Sequence, residues 1–223
     1  MAAYPAFLSR LCEADLAALA ERWSARSYRH DELIIAHGDS GSDVFFLLDG
    51  RARVTLFSED GREIAYRDLG PGDIFGELAG IDGKARSASI VALGPTRAAR
   101  LPAAAFRDIV KGHPAFAWTL LEHLSAQLRR MTDRVYEFST LVARKRLILE
   151  LLRRAEEIRP VNGQVLINPA PTHFELAAKI STHREAVSRE MSTLAKKGLV
   201  EKHGNSLVLR DLAALEALAR RED

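Results

Sequence analysis

Between Pro114 and Pro160 the chain contains neither proline nor glycine. Within that stretch Ala117, Leu121, Leu124, Leu128, Met131, Val135 and Phe138 recur at alternating intervals of four and three residues. Such a period belongs to a helix, because strand side chains alternate every two residues. Pro114 stands where a first helical turn tolerates a missing N–H. Gln127, Arg129, Arg130 and Asp133 supply a polar face. A few turns of this pattern would serve an ordinary amphipathic helix lying on its own domain. Seven positions held at heptad spacing predict instead a seam between two such helices, hence a homodimer interface formed by these seven residues.

The long helix divides the chain into three blocks, expected at 1–113, 114–142 and 143–223. The first, over about 25–105, reads as β-rich. Val44-Phe45-Phe46-Leu47-Leu48 precedes Asp49-Gly50, and the run from Arg51 to Phe57 precedes Glu59-Asp60-Gly61, a hairpin signal. Short strands punctuated by glycine suggest an antiparallel sandwich or barrel. The third block is a smaller helical unit. Arg159-Pro160-Val161-Asn162-Gly163 marks a loop, and Gly204-Asn205, between Leu199–Lys202 and Leu207–Leu209, fits a two-residue hairpin turn. Ser139 to Val142 holds no glycine or proline, so a continuous helix is expected to couple the blocks.

The 223 residues are 47% hydrophobic and 28% charged, which excludes a disordered or low-complexity chain. No run approaches the ~20 apolar residues that span a bilayer. The single cysteine, Cys12, excludes a disulfide framework, a four-thiolate iron–sulfur site and a multi-cysteine zinc site within one chain. Residues 1–11 lack a basic segment, and Arg10 and Glu13 intervene early, so no secretory signal is expected and a cytoplasmic location is. Residues 143–223 carry 15 Lys+Arg against 11 Asp+Glu, a net +4, and residues 1–142 carry 17 against 19, a net −2. The basic end points weakly to nucleic acid.

The segment from Pro71 to Ala88 carries the most chemistry. Gly76 removes a side chain where backbone approaches something closely. Glu77 is an acceptor of the kind that grips a sugar hydroxyl. Arg86 offers a planar fork matched to phosphate. Ser87 adds a hydroxyl and, with Ala88, N–H donors. A short helical turn opening near Leu78 would aim further N–H groups at an anion. One sugar acceptor and one anion clamp suit a phosphorylated sugar. The same residue types also make an ordinary turn with a surface ion pair, and the residues alone leave both readings open.

Gly76-Glu77-Leu78-Ala79, with Arg86-Ser87-Ala88 placed so that Arg86 follows Glu77 by nine, resembles the phosphate-binding cassette of cyclic-nucleotide-binding domains. Gly38-Asp39, Phe45–Leu48, Gly50 and Gly70-Pro71-Gly72-Asp73 are similar to that domain's glycine pattern. The resemblance implies a β-roll closing over a cyclic nucleotide. It implies that Glu77 takes the ribose 2′-OH, and that Arg86 with Ser87 takes the cyclic phosphate. Gly76, Leu78 and Ala88 complete the cassette. In bacterial members small polar residues of the dimer helix read the base, and those positions fall here at Met131 and Thr132. Thr132 fits that pattern; Met131 departs from it, since a thioether is a poor donor or acceptor. Cyclic AMP is the first expectation and cyclic GMP the second, because Ser87 can bond a guanine turned over the phosphate.

Thr172 and Glu175 form a capping box at a helix start, followed by an apolar face of Leu176, Ala177 and Ile180. Ser181-Thr182 can break and recap the chain before a second helix from Arg184 to Lys197, with Val187, Met191 and Leu194 inward. This is helix–turn–helix spacing, although Ser181 stands where that motif usually has glycine. Arg184, Glu185, Ser188 and Arg189 project together. Arginine pairs bidentately with guanine, and glutamate accepts from cytosine. The charges alone also suit a solvated helix face with a Glu185–Arg189 pair. His183 to Arg189 resembles the Arg-Glu-x-x-x-Arg recognition helix of the catabolite activator family. That resemblance implies base reading by Arg184, Glu185 and Arg189 in a TGTGA-like half-site, with Thr172, Thr182, His183 and Ser188 close by. Lys196, Lys197, Lys202 and His203 would flank phosphates.

The resulting expectation is an α+β chain. An N-terminal antiparallel β-roll (a double-stranded β-helix, jelly-roll-like) with N-terminal helices forms a cyclic-nucleotide-binding domain; a long dimerisation helix and a C-terminal winged helix–turn–helix follow. It resembles the catabolite activator and fumarate–nitrate regulator superfamily. The implied function is a homodimeric transcription regulator under allosteric control by a cyclic nucleotide, binding palindromic double-stranded DNA and acting with RNA polymerase, with no prosthetic group, metal or membrane. The alternative is a regulator of the same fold that is nucleotide-independent or senses another effector. An iron–sulfur sensor is excluded by the lone Cys12; for haem, His30, His37 and His113 are present but ungrouped. An enzyme is not expected: a metal-dependent barrel wants closely spaced histidines, and only His30 and His37 fall in the β block. No Ser–His–Asp or paired-carboxylate arrangement stands out.

Overall fold

Strands stay short here because turn residues recur before any of them grows beyond seven residues, the length of Glu63–Leu69. The computed structural model describes residues 6–57, 63–156, 158, 160 and 164–220. These residues separate into two compact units, 6–129 and 130–220.

The first unit opens with a 3-10 turn and helix α1 (Glu13–Ala20). Eight strands follow: β1 (Ser24–Tyr28), β2 (Leu33–Ile35), β3 (Val44–Asp49), β4 (Ala52–Phe57), β5 (Glu63–Leu69), β6 (Ile74–Phe75), β7 (Ser89–Ala92) and β8 (Thr96–Leu101), with helix α2 (Glu77–Asp82) between β6 and β7. They form two four-stranded sheets, ordered β1-β8-β3-β6 and β2-β7-β4-β5. All pairings are antiparallel, and successive strands mostly change sheet, which is the winding of the expected roll. Where the sheets meet, Tyr28, Ile35, Phe45, Leu47, Leu69, Phe75 and Ile90 form a core. The other face of β3 sends Val44 and Phe46 into a second cluster with Phe7, Leu19, Phe106 and Phe116. That double burial explains why β3 reads as a continuous apolar run. The Asp60-Gly61 turn lies outside the described residues, although the strands on either side of it pair.

Helix α3 (Ala103–Gly112) leads into α4 (Pro114–Thr140). Phe116, Thr119, Leu120 and His123 form its buried face. The heptad seam splits into two rows. Leu121, Leu128 and Val135, seven residues apart, are exposed, and Met131 borders on exposure. Ala117, Leu124 and Phe138 are half-buried. Leu124 packs against the Phe7 cluster of its own unit. The guanidinium groups of Arg134 and Arg146 approach the Phe138 ring, at 5.2 and 5.3 Å from its centre. A straight helix drifts about 20° per heptad from a 3.5 repeat, so one row leans inward.

The second unit comprises the end of α4, α5 (Ala143–Glu156), β9 (Val165–Ile167), α6 (His173–Lys179), α7 (Arg184–Lys196), β10 (Val200–His203), β11 (Ser206–Leu209) and α8 (Leu212–Arg220). The expectation of one continuous helix is corrected, since α4 stops at Thr140 and α5 starts at Ala143. No glycine or proline marks the stop. Thr140 bonds its hydroxyl back to the Tyr136 carbonyl at 2.8 Å, a local bond that competes with the helix. Leu147, Leu151, Leu176, Val187, Met191, Leu194 and Leu209 share one core. β10 and β11 pair His203 with Ser206, leaving Gly204-Asn205 as the two-residue turn.

Both bonds of the Thr172–Glu175 capping box are present. Helix α6 ends with the Thr182 N–H on the Ala177 carbonyl at 3.0 Å and with Ser181 at φ 49°. That is a Schellman closure with serine in the left-handed position that glycine fills without strain. The cap of α7 is His183, without a side-chain bond, rather than Ser181 or Thr182. Replacing Ser181→Gly is expected to stabilise the second unit by about 1 kcal/mol. A denaturant titration whose midpoint falls or stays unchanged would contradict this.

Candidate functional site

Gly76 closes β6 and opens α2 with φ 76°. A Cβ there would stand 2.7 Å from Arg86 Nη1, 3.0 Å from Ile35 Cδ1 and 3.2 Å from the Asp43 carbonyl. Only glycine fits both the angle and the space. Arg86 is 6% exposed. Its Nη1 donates to the Gly76 carbonyl at 2.9 Å and its Nη2 to the Asp43 carbonyl at 2.7 Å. The guanidinium carbon lies 5.9 Å from the Phe45 ring centre. The Arg86 backbone is pinned as well: its N–H donates to Asp39, and its carbonyl accepts from Gly38.

No carboxylate reaches Arg86 within ion-pair distance among the described residues. The Asp43 carboxylate turns away to Arg100 and to the Ala103 N–H at the start of α3. Burial lowers the guanidinium pKa, opposed by the charges of Asp43, Asp39 and Glu77. Arginine nevertheless stays protonated in proteins, and two carbonyls occupy only part of its five-donor fork. A cation held this way is disposed to receive an anion.

Glu77 is buried one residue beyond Gly76. Gln127 of α4 donates its amide Nε2 to Glu77 Oε1 at 3.1 Å, and the same nitrogen lies 2.7 Å from His123 Nε2. Burial pushes the Glu77 carboxyl up; its own backbone N–H, Gln127, Arg67 and Arg86 act the other way. Sequence reasoning missed Gln127 and His123. The signal was available: Phe116, Leu120, His123 and Gln127 step by four, three and four along the inward row of α4. Leu78 and Ser87 are exposed at the edge of the cassette, and Ala88 is half-buried. The structure thus brings Gly76, Glu77 and Arg86 together. Met131 and Thr132 belong to the other unit, at exposed positions.

In the second unit Arg184, Glu185 and Arg189 are exposed on the first turns of α7. Among the described residues none of their charged groups has a hydrogen-bond or ion-pair partner, and the Glu185–Arg189 pair does not form. Ser188, beside them, is half-buried and lies 2.7 Å from His173 Nδ1. Thr172 is spent on the capping box, and Thr182 is half-buried. His183, Lys196, Lys197, Lys202 and His203 are exposed. No group of three or more His, Cys, Asp or Glu able to hold a metal occurs among the described residues. No described helix is long and apolar enough to cross a membrane.

Residues 25–113 match the family described as a cyclic nucleotide-binding domain, and residues 145–218 match the Crp-like helix-turn-helix domain. The chain is 30% identical over 194 residues to a cyclic AMP receptor protein of Thermus thermophilus, covering 87% of each. It is 26% identical over 207 residues to a CRP-like cAMP-activated global transcriptional regulator of Mycobacterium tuberculosis, covering 92% of this chain and 91% of that one. A solved CRP/FNR-family transcriptional regulator of Thermus thermophilus superposes with a TM-score of 0.72 at 26% identity, covering 90% of this chain and 100% of that one.

The raised Glu77 pKa has a sign that can be checked. The native state binds the Glu77 proton more readily than the unfolded chain, so this contribution is fully present below the ordinary carboxylate range. It is lost as pH rises through the raised value. Glu77→Gln removes that dependence. Without ligand, the variant is expected to melt above the parent near neutral pH, and the margin should shrink on acidification to about pH 4. A margin that does not change with pH would contradict the assignment.

Proposed function

This chain belongs to the CRP/FNR family of transcription regulators, and on that premise we propose that it is a cytoplasmic homodimer whose affinity for a palindromic TGTGA-like site rises when each β-roll binds cyclic AMP. Members of this family are regulators and not enzymes. One observation carries the ligand half of the proposal: Arg86 is a buried cation whose partners are carbonyls rather than a carboxylate. An internal ion pair would have made the cassette a structural turn. The free guanidinium edge instead suits a phosphate, and the buried Glu77 acceptor nine residues earlier suits the ribose hydroxyl of the same molecule. Gly76, Leu78, Ser87 and Ala88 surround them, with Met131 and Thr132 assigned to the base. The curated relatives named for cyclic AMP favour adenine over guanine.

The DNA half is supported by Arg184, Glu185 and Arg189, charged groups left unpaired on one face of α7. Thr172, Thr182, His183 and Ser188 flank that face, and Lys196, Lys197, Lys202 and His203 are assigned to phosphates. The homodimer is supported by the exposed Leu121, Leu128 and Val135, at 56%, 69% and 64%, aligned along one helix where a soluble surface would not leave them bare. Ligand then acts by population shift, favouring the state whose two recognition helices stand about one DNA turn apart. RNA polymerase is the partner through which such a regulator would act.

A second reading, a regulator of the same fold that needs no nucleotide, has support in the carbonyls that already hold Arg86. One titration separates the two: binding of the full chain to a duplex of two inverted TGTGA half-sites with no ligand, cyclic AMP or cyclic GMP at one fixed salt concentration. Cyclic AMP should tighten binding by about tenfold or more. Equal affinity in all three arms would favour the nucleotide-independent reading. Leu128→Glu is expected to yield monomers by sedimentation, and a persisting dimer would remove the seam.

A further inference from the structure

His173 and Ser188 stand on different helices, α6 and α7, and meet at 2.7 Å between Nδ1 and Oγ. Ser188 shares a face with Arg184, Glu185 and Arg189, whereas His173 belongs to none of the groups assigned above. A hydroxyl has one proton and two lone pairs, so a free serine on a recognition helix bonds either a donor or an acceptor on a base edge and discriminates little. A serine whose proton is already engaged has one polarity left.

We propose that His173 is a positioning residue for base recognition, confining Ser188 to the accepting role toward the DNA. This rests on the reading of the α7 face as the DNA-contacting surface. His173 Nε2 has no hydrogen-bond partner among the described residues. In the tautomer assigned here the ring proton sits on Nε2, the nitrogen that has no protein partner among the described residues. Nδ1 then carries a lone pair, the Ser188 hydroxyl donates to it, and the serine oxygen turns its remaining lone pairs outward. That oxygen accepts from an exocyclic amino group, adenine N6 or cytosine N4, and is mismatched to the O4, O6 and N7 acceptors of thymine and guanine.

The experiment is selection from a randomised half-site with the full chain and cyclic AMP, read as base preference at each position for the parent and for His173→Phe, His173→Lys, Ser188→Ala and Arg189→Ala. The parent should prefer adenine or cytosine over thymine or guanine at one position of the contacted strand by about fivefold, the worth of one neutral hydrogen bond. His173→Phe and Ser188→Ala should each flatten that position alone. His173→Lys, a pure donor toward the hydroxyl, should reverse it toward thymine or guanine. The added charge changes affinity for all sequences alike and leaves the ratio untouched. A uniform affinity loss in His173→Phe with the preference intact would overturn the proposal and make His173 a phosphate contact. An unchanged pattern in Ser188→Ala would overturn it as well. Arg189→Ala keeps the two levels apart. If it relaxes its own position while the His173 variants change none, only this inference falls. If it too changes nothing, the reading of the α7 face falls with it.

Discussion

A guanidinium shut away from water normally needs a carboxylate, because an uncompensated buried charge costs several kcal/mol. Arg86 has two carbonyl oxygens and an aromatic face instead. The surrounding architecture follows from keeping it there. Gly76 lacks the Cβ that would collide with Nη1. Gly38 and Asp39 bond the Arg86 backbone on both sides. The Asp43 carboxylate, whose own carbonyl holds Nη2, is drawn off by Arg100 and by the first N–H of α3. The cation is fixed in place and short of an anion.

Glu77 shows the same trade between stability and function. Its burial raises the carboxyl pKa, so holding it charged near neutral pH works against folding. Gln127 offsets part of this from α4 and ties the cassette to that helix within the same unit. Natural chains tolerate such local conflicts mainly at functional sites. Two groups each uneasy in their burial, one acidic and one basic and nine residues apart, are the chemistry that a sugar phosphate would relieve together.

Much of this was legible in the sequence, since short-range rules decide it. The Thr172–Glu175 capping box, the inward Val187, Met191 and Leu194, and the Gly204-Asn205 turn each depend on residues a few positions apart. The unbroken apolar run of β3 was readable as a strand but not as one buried on both faces. What escaped depends on distant partners. Nothing near Asp43 says that its carbonyl meets residue 86. Phe138 reads as a seam residue, and nothing nearby announces that the guanidinium groups of Arg134 and Arg146 also approach its ring. The stop after Thr140 lacks the glycine or proline that would announce it. Gln127 and His123 sat on a row that the exposed heptads overshadowed.

The central claim is that Arg86 is an anion clamp rather than a structural cation. Calorimetric titration of the full-length chain with cyclic AMP, beside Arg86→Gln and its thermal stability, tests it most directly. The account predicts measurable binding by the parent, a loss of at least about a hundredfold in the variant, consistent with a hydrogen-bonded charge pair, and a folded variant no less stable without ligand. Equal affinity in parent and variant would contradict it and return Arg86 to the fold.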